Sequence, residues 1–342
     1  MLTSPLKLVG AHGSPYSRKM RAVLRYRRIP FRWIIRGSKE DTDLPAVPVA
    51  LIPVLVFPGD GGAPDRAMVD STFQIRQLEE FWSERSVVAP DPAMAFLDAL
   101  IEDYADEWLT KAMFHYRWAF APDAAKAGDL LPRGGSIDAS EASMQRLSRV
   151  FSGRQIGRLA VVGSNQTTAS LIEESYRRLL RSLTAQLCEQ PFVMGRRPGV
   201  ADFGLFGQLS QLALFDPTPA AVALEESPRV VAWCEVMEDL SGLEVEAVDW
   251  MPREALPAAF RALLAEIGRV YVPFLLANAA ALERGDAQVD CEIDGRQWVQ
   301  KPFPYQRKCL LWLREGHAAL SAEDRAFVDS ILADANCDAL FQ

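Results

Sequence analysis

The first 84 residues arrange short apolar runs and helical patterns in an order that only a few folds accept. "LKLVGA" predicts a buried strand, and Ser14 and Pro15 suit the N-cap and first position of the helix that follows. "PFRWIIR" predicts a second strand. "LIPVLVF" and "RAMVD" predict two paired strands joined by the turn-rich "PGDGGAPD", and a helical pattern begins at Thr72. The order strand–helix–strand, hairpin, helix indicates an α/β domain.

One proline stands inside a predicted strand. Pro53 has no backbone N–H to donate to a sheet, so the interior of a strand does not suit it. The start of a strand, an edge strand, or a cis bond that exposes the backbone of Ile52 would each explain its position. Taken alone, the proline leaves these explanations open.

From about residue 85 the pattern is helical almost throughout. A long helix is predicted after Asp91, which suits its N-cap, with Pro92 at its first position. Another helix is predicted from Gly199, with Asp202 at capping-box spacing. Because glycine has no side chain, we expect this cap to be slightly weaker than one made by serine or threonine. The four longest helical stretches are "DPAMAFLDALIEDYADEWLTKAMFHYRW", "ASLIEESYRRLLRSLTAQLCE", "PGVADFGLFGQLSQLALF" and "PRVVAWCEVMEDL".

A third section begins near Pro252. A helix is predicted for residues 254–284, and two strand-like runs flank Asp294 and Gly295, which form the strongest short hairpin signal in the chain. Two helices close the sequence, and Ser321 suits the N-cap of the last one.

Composition excludes several classes of protein. No apolar run approaches the roughly 20 residues that cross a bilayer, and the first residues lack the pattern of a secretory signal. We therefore expect a cytoplasmic protein with no membrane partner. The cysteines begin only at Cys188, are widely spaced, and show neither C-x-x-C nor zinc-site spacing. Reduced buried thiols and no metal site are the expected result.

Positive charge is concentrated at the start of the chain, since residues 1–39 contain ten basic residues and no acidic one. A solvent-exposed helix face explains the stripe of arginines behind "SPYS", and a small anionic ligand near the helix N-terminus is compatible with it. No interleaved aromatic residues accompany the stripe, so we expect no nucleic-acid partner. The stripe consists of Arg18, Arg21, Arg25 and Arg28.

Four stretches, taken in order, resemble the glutathione S-transferase family of the serine type: "SPYS", "LIPVLV", "VDST" and "FVMGRRPGVADFGLFGQL". The resemblance implies a thioredoxin-like, glutathione-binding domain at residues 1–84 and an all-helical domain at residues 85–250. Residues 251–342 lie outside it, as a mostly helical extension with a β-hairpin near 288–300. A homodimer is also implied, although the loop before Ile52 lacks the aromatic residue that locks some family dimers.

The resemblance also implies a site. Ser14 would be the catalytic residue, donating a hydrogen bond to the sulfur of glutathione and favouring its thiolate. Ile52 would pair its backbone with the cysteinyl part of glutathione, next to a cis Pro53. Asp70 would bind the γ-glutamyl ammonium and Ser71 its carboxylate. Helix capping alone would also account for Ser14, Asp70 and Ser71.

Further candidates follow from helical spacing. Ser17 is a possible second hydroxyl. An aromatic set could line a pocket for a hydrophobic electrophile, although such a set is more often core: Tyr16, Tyr104, Trp108 and Phe114 or its neighbour Met113. A set of acidic residues is predicted to form a solvent-exposed face: Glu102, Asp103, Asp106 and Glu107.

Two functions remain open from the sequence. In the first, the protein is a glutathione transferase acting in detoxification, with glutathione as substrate and a hydrophobic small molecule as second substrate. In the second, it keeps the fold but acts as a non-catalytic ligand-binding or protein-interaction module that uses its C-terminal extension. Dithiol redox chemistry is not expected, because no cysteine precedes Cys188.

Overall fold

The computed structural model describes residues 5–59 and 63–342. Its first part is a four-stranded sheet in the order β2-β1-β3-β4, with β1 and β2 parallel and β3 antiparallel to both β1 and β4. The turn "PGDGGAPD" includes residues 60–62, which lie outside the described residues. The predicted order of elements is confirmed: β1 Leu6–Gly10, α1 Pro15–Tyr26, β2 Phe31–Ile35, β3 Val54–Phe57, β4 Arg66–Met68 and α2 Ser71–Phe81.

A helical section follows, as predicted. Asp91 is the N-cap of α3 and accepts a hydrogen bond from the Ala93 amide at 2.9 Å. The single helix predicted after it is α3 and α4, joined by a π-helical turn at Ala105–Leu109. The helices are α3 Pro92–Tyr104, α4 Thr110–Ala119, α5 Ala121–Leu130, α6 Glu141–Ile156, α7 Ala169–Glu189, α8 Val200–Leu212, α9 Pro217–Glu226 and α10 Pro228–Met237.

The last section contains four α-helices and the predicted hairpin. Asp294 and Gly295 have φ values of 51° and 70°, as a tight two-residue turn requires. The predicted helix over residues 254–284 is interrupted by a π-helical turn at Ile267–Tyr271. No helix in the described part of the chain is long and apolar enough to cross a membrane. The elements are α11 Ala258–Glu266, α12 Val272–Arg284, β5 Val289–Ile293, β6 Arg296–Gln300, α13 Pro304–Ala318 and α14 Ala322–Asp334.

One apolar core cluster contains residues from all three predicted segments. Trp108 of the π-helical turn packs against Trp298 of β6, with ring centroids 5.1 Å apart. Tyr104 at the end of α3 packs edge-on to Tyr271, with centroids 6.1 Å apart. The boundaries at residues 84 and 250 remain a prediction, but the C-terminal section shares its core with the helices before it.

Helix α8 is capped by a residue from another helix. The two carboxylate oxygens of Asp98, in α3, accept hydrogen bonds from the amides of Val200 and Ala201, each at 2.9 Å. Asp202 also accepts from the Gly199 amide at 2.9 Å, which gives half of the predicted capping box. A Cβ at Gly199 would lie 2.4 Å from Asp98 Oδ2. It would also lie 2.5 Å from Met194 Cγ, so glycine is favoured there because Asp98 and Met194 occupy the space of an N-cap side chain.

Candidate functional site

Ser14 lies half-buried at the start of α1. Its Oγ accepts a hydrogen bond from the Ser17 amide at 3.3 Å, and Pro15 occupies the first helical position. A hydroxyl has one hydrogen to donate in addition to its acceptor lone pairs. The helix cap uses an acceptor position, so the Ser14 hydrogen remains available to a ligand.

The sheet brings the other predicted residues to the same edge. Because β3 runs antiparallel to both β1 and β4, the end of β1, the start of β3 and the end of β4 lie side by side. Ser14 follows β1, Ile52 and Pro53 precede β3, and Asp70 and Ser71 follow β4. The N-termini of α1 and α2 are therefore at this edge as well, and helix N-termini favour negative charge.

Gln74 fixes the start of α2 to two strands. Its Nε2 donates to the Pro53 carbonyl at 2.8 Å and to the Met68 carbonyl at 2.9 Å, and its side chain is fully buried. The Ile52–Pro53 peptide bond is cis. Gln74, which sequence reasoning missed, thus holds the segment before β3 against the first turn of α2.

Asp70 has a partner from the far end of the chain. Its Oδ1 accepts from the Thr72 amide at 3.2 Å as the N-cap of α2. Its Oδ2 accepts from the Tyr305 hydroxyl, in the first turn of α13, at 2.5 Å. Ser71 beside it is only 4% exposed. We call the position at Asp70 Oδ2, where the family resemblance predicts an amino group, the amino-group subsite; no sequence motif indicated that Tyr305 would reach it.

Arg117 holds the loop before Ser14. Its Nη1 donates to the Gly13 carbonyl at 2.7 Å, and the same guanidinium is fixed by Asp216 and by Gln211 Oε1. Arg117 is 3% exposed. A buried arginine with all its partners in place makes a rigid support, so the helical section determines where the Ser14 loop lies.

The prediction that Ser17 offers a second hydroxyl does not agree with the structure. Its side chain is fully buried, and its Oγ accepts from the Ala11 amide at 3.3 Å. A hydroxyl that faces the backbone at the end of β1 is closed to a ligand, so Ser17 does not provide a second hydroxyl in this structure.

The predicted pocket for a hydrophobic substrate is also corrected in part. Tyr104 and Trp108 are each 2% exposed and belong to the core against the C-terminal section, because α12 and the hairpin cover that face of the helix. Tyr16 is half-buried, and its hydroxyl donates to the Asp106 carbonyl at 2.8 Å. Phe114 is half-buried beside Trp118.

The acidic residues of this helix do not form the predicted exposed face. Glu102, Asp106 and Glu107 are buried, and Asp103 is half-buried. Lys19 of α1, itself fully buried, donates to Glu102 Oε1 and Asp106 Oδ2, each at 2.6 Å. Burial raises the pKa of Asp106 to about 6, Asp103 to about 7 and Glu107 to about 8. The π-helical turn thus carries a buried polar cluster.

The arginine stripe of α1 is likewise not simply a solvent-exposed face. Arg18 and Arg25 each contact a carboxylate oxygen of Glu238 at 2.8 Å, and Arg21 lies 3.7 Å from it. Arg28 pairs with Glu244 in the same segment after α10. These ion pairs hold α1 against the helical section, so the arginines already have acidic partners in the absence of an anionic ligand.

The cysteine side chains differ in exposure. The five cysteines are free, and Cys188 is exposed while Cys234, Cys309 and Cys337 are buried. Within residues 5–59 and 63–342, no group of three or more His, Cys, Asp or Glu side chains is arranged to hold a metal ion.

Comparison with known proteins identifies the stretch that carries the candidate site. Residues 8–85 match the family model "Glutathione S-transferase, N-terminal domain". No curated protein sequence matches the chain at a significant level. A solved Tau class glutathione S-transferase from mango is 19% identical; the alignment covers 76% of this chain and 96% of that one, with a TM-score of 0.41.

Two bacterial structures are similar to the same extent. A glutathione transferase family member from Pseudomonas fluorescens, with two glutathione bound, is 15% identical over 75% of this chain and 92% of that one, with a TM-score of 0.40. FzlA from C. crescentus is 17% identical over 77% of this chain and 92% of that one, with a TM-score of 0.39.

Proposed function

Because residues 8–85 match the glutathione S-transferase N-terminal domain model, we propose that this protein binds glutathione and activates its thiol for attack on a hydrophobic electrophile. Ser14 is the catalytic residue, with Ile52 and Pro53 at the cysteinyl part of the tripeptide and Asp70 and Ser71 at its γ-glutamyl end. A homodimeric state and a hydrophobic second substrate belong to the same proposal.

The chemistry required of the protein is modest. A free thiol has a pKa of about 8.5, so at neutral pH the thiolate needs stabilisation. The Ser14 hydroxyl supplies one hydrogen bond to sulfur, and the N-terminus of α1 supplies a favourable dipole. The nucleophile belongs to glutathione, and the protein lowers its pKa and positions it.

One observation carries the proposal: the residues implied by three separate stretches of sequence meet at a single edge of the sheet, beside two helix N-termini. Helix capping alone explains Ser14 and Asp70 one at a time. Capping does not explain why Ser14, the cis Ile52–Pro53 segment and Asp70 lie together at one edge of the sheet.

Calorimetric titration with glutathione tests the proposal. Wild-type protein should bind, and Asp70→Asn should bind about tenfold more weakly, because asparagine keeps the helix cap but removes the charge that pairs with the ammonium. A thermal melt checks that Asp70→Asn remains folded. Absence of binding to the wild type would overturn the proposal.

A non-catalytic role is the second candidate. It is favoured by the packing of Tyr104 and Trp108 into the core, because those two aromatic residues are then closed to a hydrophobic substrate. Glutathione binding without turnover of any member of a panel of electrophiles would support this role, and conjugation of any of them would support the enzyme.

A further inference from the structure

Tyr305 fills the amino-group subsite. Its Oη donates to Asp70 Oδ2 at 2.5 Å, while the Thr72 amide donates to Asp70 Oδ1 at 3.2 Å. Both carboxylate oxygens of Asp70 therefore already have a donor, one from the helix cap and one from the C-terminal section. A ligand ammonium directed at Oδ2 meets the tyrosine hydroxyl there.

The tyrosine is held in this position from two sides. Its ring lies edge-on to Trp312, which in turn lies edge-on to Phe73 of α2, with centroids 5.9 and 4.9 Å apart. Asn278 of α12 clamps the backbone of Phe303: its Oδ1 accepts from the Phe303 amide at 2.8 Å and its Nδ2 donates to the Phe303 carbonyl at 3.0 Å. The contact is thus built into the packing of α13.

The Tyr305 hydroxyl can donate to Asp70 in place of a ligand ammonium, and an ammonium can replace it. Burial raises the pKa of Tyr305, and the charge of Asp70 raises it further, so the group keeps its proton and remains a donor. A neutral hydroxyl offers one hydrogen bond, whereas an ammonium offers three donors and a full positive charge. The tyrosine is a replaceable substitute for the cation.

We propose that Tyr305 blocks the amino-group subsite until the γ-glutamyl ammonium of glutathione displaces its hydroxyl from Asp70, and that this displacement releases the first turn of α13. The inference rests on the proposed function, since it uses Asp70 as the ammonium partner. It makes the C-terminal section a control on ligand entry and selects for ligands that carry a cationic amino group.

Hydroxyl deletion tests the block. Tyr305→Phe keeps the ring against Trp312 and removes the competing donor, so glutathione should bind about tenfold more tightly than to wild type. Tyr271→Phe is the matched control, because the Tyr271 hydroxyl donates to Asp103 Oδ2 at 2.6 Å and does not contact Asp70. The control should leave glutathione affinity unchanged, and a thermal melt verifies that both variants fold.

Hydrogen exchange supplies a second readout on the wild-type chain. Glutathione should accelerate amide exchange in residues 303–309, to the rate that Tyr305→Phe shows without glutathione. If wild type binds glutathione but Tyr305→Phe binds equally or more weakly, or exchange does not change, the block is overturned and the proposed function stands. If the wild type does not bind glutathione, the proposed function fails and the block with it.

Discussion

Glu107 and Lys111 lie one helical turn apart, and burial moves their pKa values toward each other. Burial raises the pKa of Glu107 to about 8, with the nearby Asp103 and Asp106 adding to it. Burial lowers the pKa of Lys111 to about 7. Lys111 Nζ lies 4.0 Å from the Phe274 ring centroid and donates to Gln300 Oε1 at 3.0 Å. As the pH rises, the contribution of Glu107 to the free energy of unfolding should therefore fall, and that of Lys111 should rise.

Glu107→Gln should remove one of these dependences. In an unfolded chain glutamate titrates near pH 4.3, so between about pH 4 and pH 8 the folded protein binds this proton more tightly and loses stability as the pH rises. Relative to the wild type, the free energy of unfolding of Glu107→Gln should increase across this range, by up to ~1.4 kcal/mol per pH unit. Urea unfolding at several pH values measures it, and parallel pH profiles would contradict the assignment.

Lys111→Met should remove the opposite dependence. Unfolded lysine titrates near pH 10.4, and with the folded pKa at about 7 the unfolded state binds more protons in between. The contribution of Lys111 to the free energy of unfolding of the wild type therefore rises with pH from about 7 to 10. Unfolding curves over that range should be flatter for Lys111→Met, and an unchanged slope would refute a buried, proton-poor Lys111.

The sequence could not have shown this buried cluster. Acidic residues recur on the helix at a spacing that is typical of an exposed face, and local pattern carries no information about what packs on it. Lys19, Tyr271 and Gln306 come from α1 and from the C-terminal section, and they supply partners that a local reading does not contain. The N-cap role of Ser14 was predictable, because a serine–proline pair before a helical pattern is a local signal.

At the scale of elements, the N-terminus of α8 offers the sharpest test. Serine is ordinarily a better N-cap than glycine, yet Gly199→Ser should destabilise the protein by about 1–3 kcal/mol, because its Cβ would meet Asp98 Oδ2. In an Asp98→Ala background the same substitution should cost less, because the contact with Asp98 is removed and the serine can cap, although the contact with Met194 Cγ at 2.5 Å remains. Chemical denaturation of the wild type, Gly199→Ser, Asp98→Ala and the double variant gives this double-mutant cycle. Additive changes in the free energy of unfolding would argue against the cap by Asp98.

Elements with strong local signals were predicted well, and those that depend on packing were not. The hairpin at Asp294–Gly295 and the cap at Asp91 follow from turn and cap chemistry within a few residues. The π-helical turns at Ala105–Leu109 and Ile267–Tyr271 each interrupt a helix that periodicity predicts to be continuous. Both turns lie in the shared core, where tertiary contacts override a local pattern.

For the whole molecule, the C-terminal section is part of the fold. Ending the chain at residue 250 would remove the rings that cover Tyr104 and Trp108 and the partner of Asp103. The truncated protein should lose fixed tertiary packing, bind a dye specific for exposed apolar surface, and lose near-ultraviolet circular dichroism. A truncated chain that melts cooperatively near the wild-type temperature would show that this section is an independent appendage.

The central claim is that the Ser14 hydroxyl stabilises the thiolate of bound glutathione. Ser14→Asp should keep the cap on the Ser17 amide and near-native stability, but its charge beside the sulfur should raise the thiol pKa. Ser140→Ala is the control for a loss of stability away from the site, because Ser140 caps α6 through the Ser143 amide at 3.4 Å.

Thiolate absorbance of the glutathione complex, followed against pH beside a thermal melt, is the most direct measurement. The wild type and Ser140→Ala should ionise glutathione at neutral pH, whereas Ser14→Asp should require a distinctly higher pH while remaining folded. If Ser14→Asp ionises bound glutathione as the wild type does, Ser14 is a helix cap and the catalytic claim is contradicted.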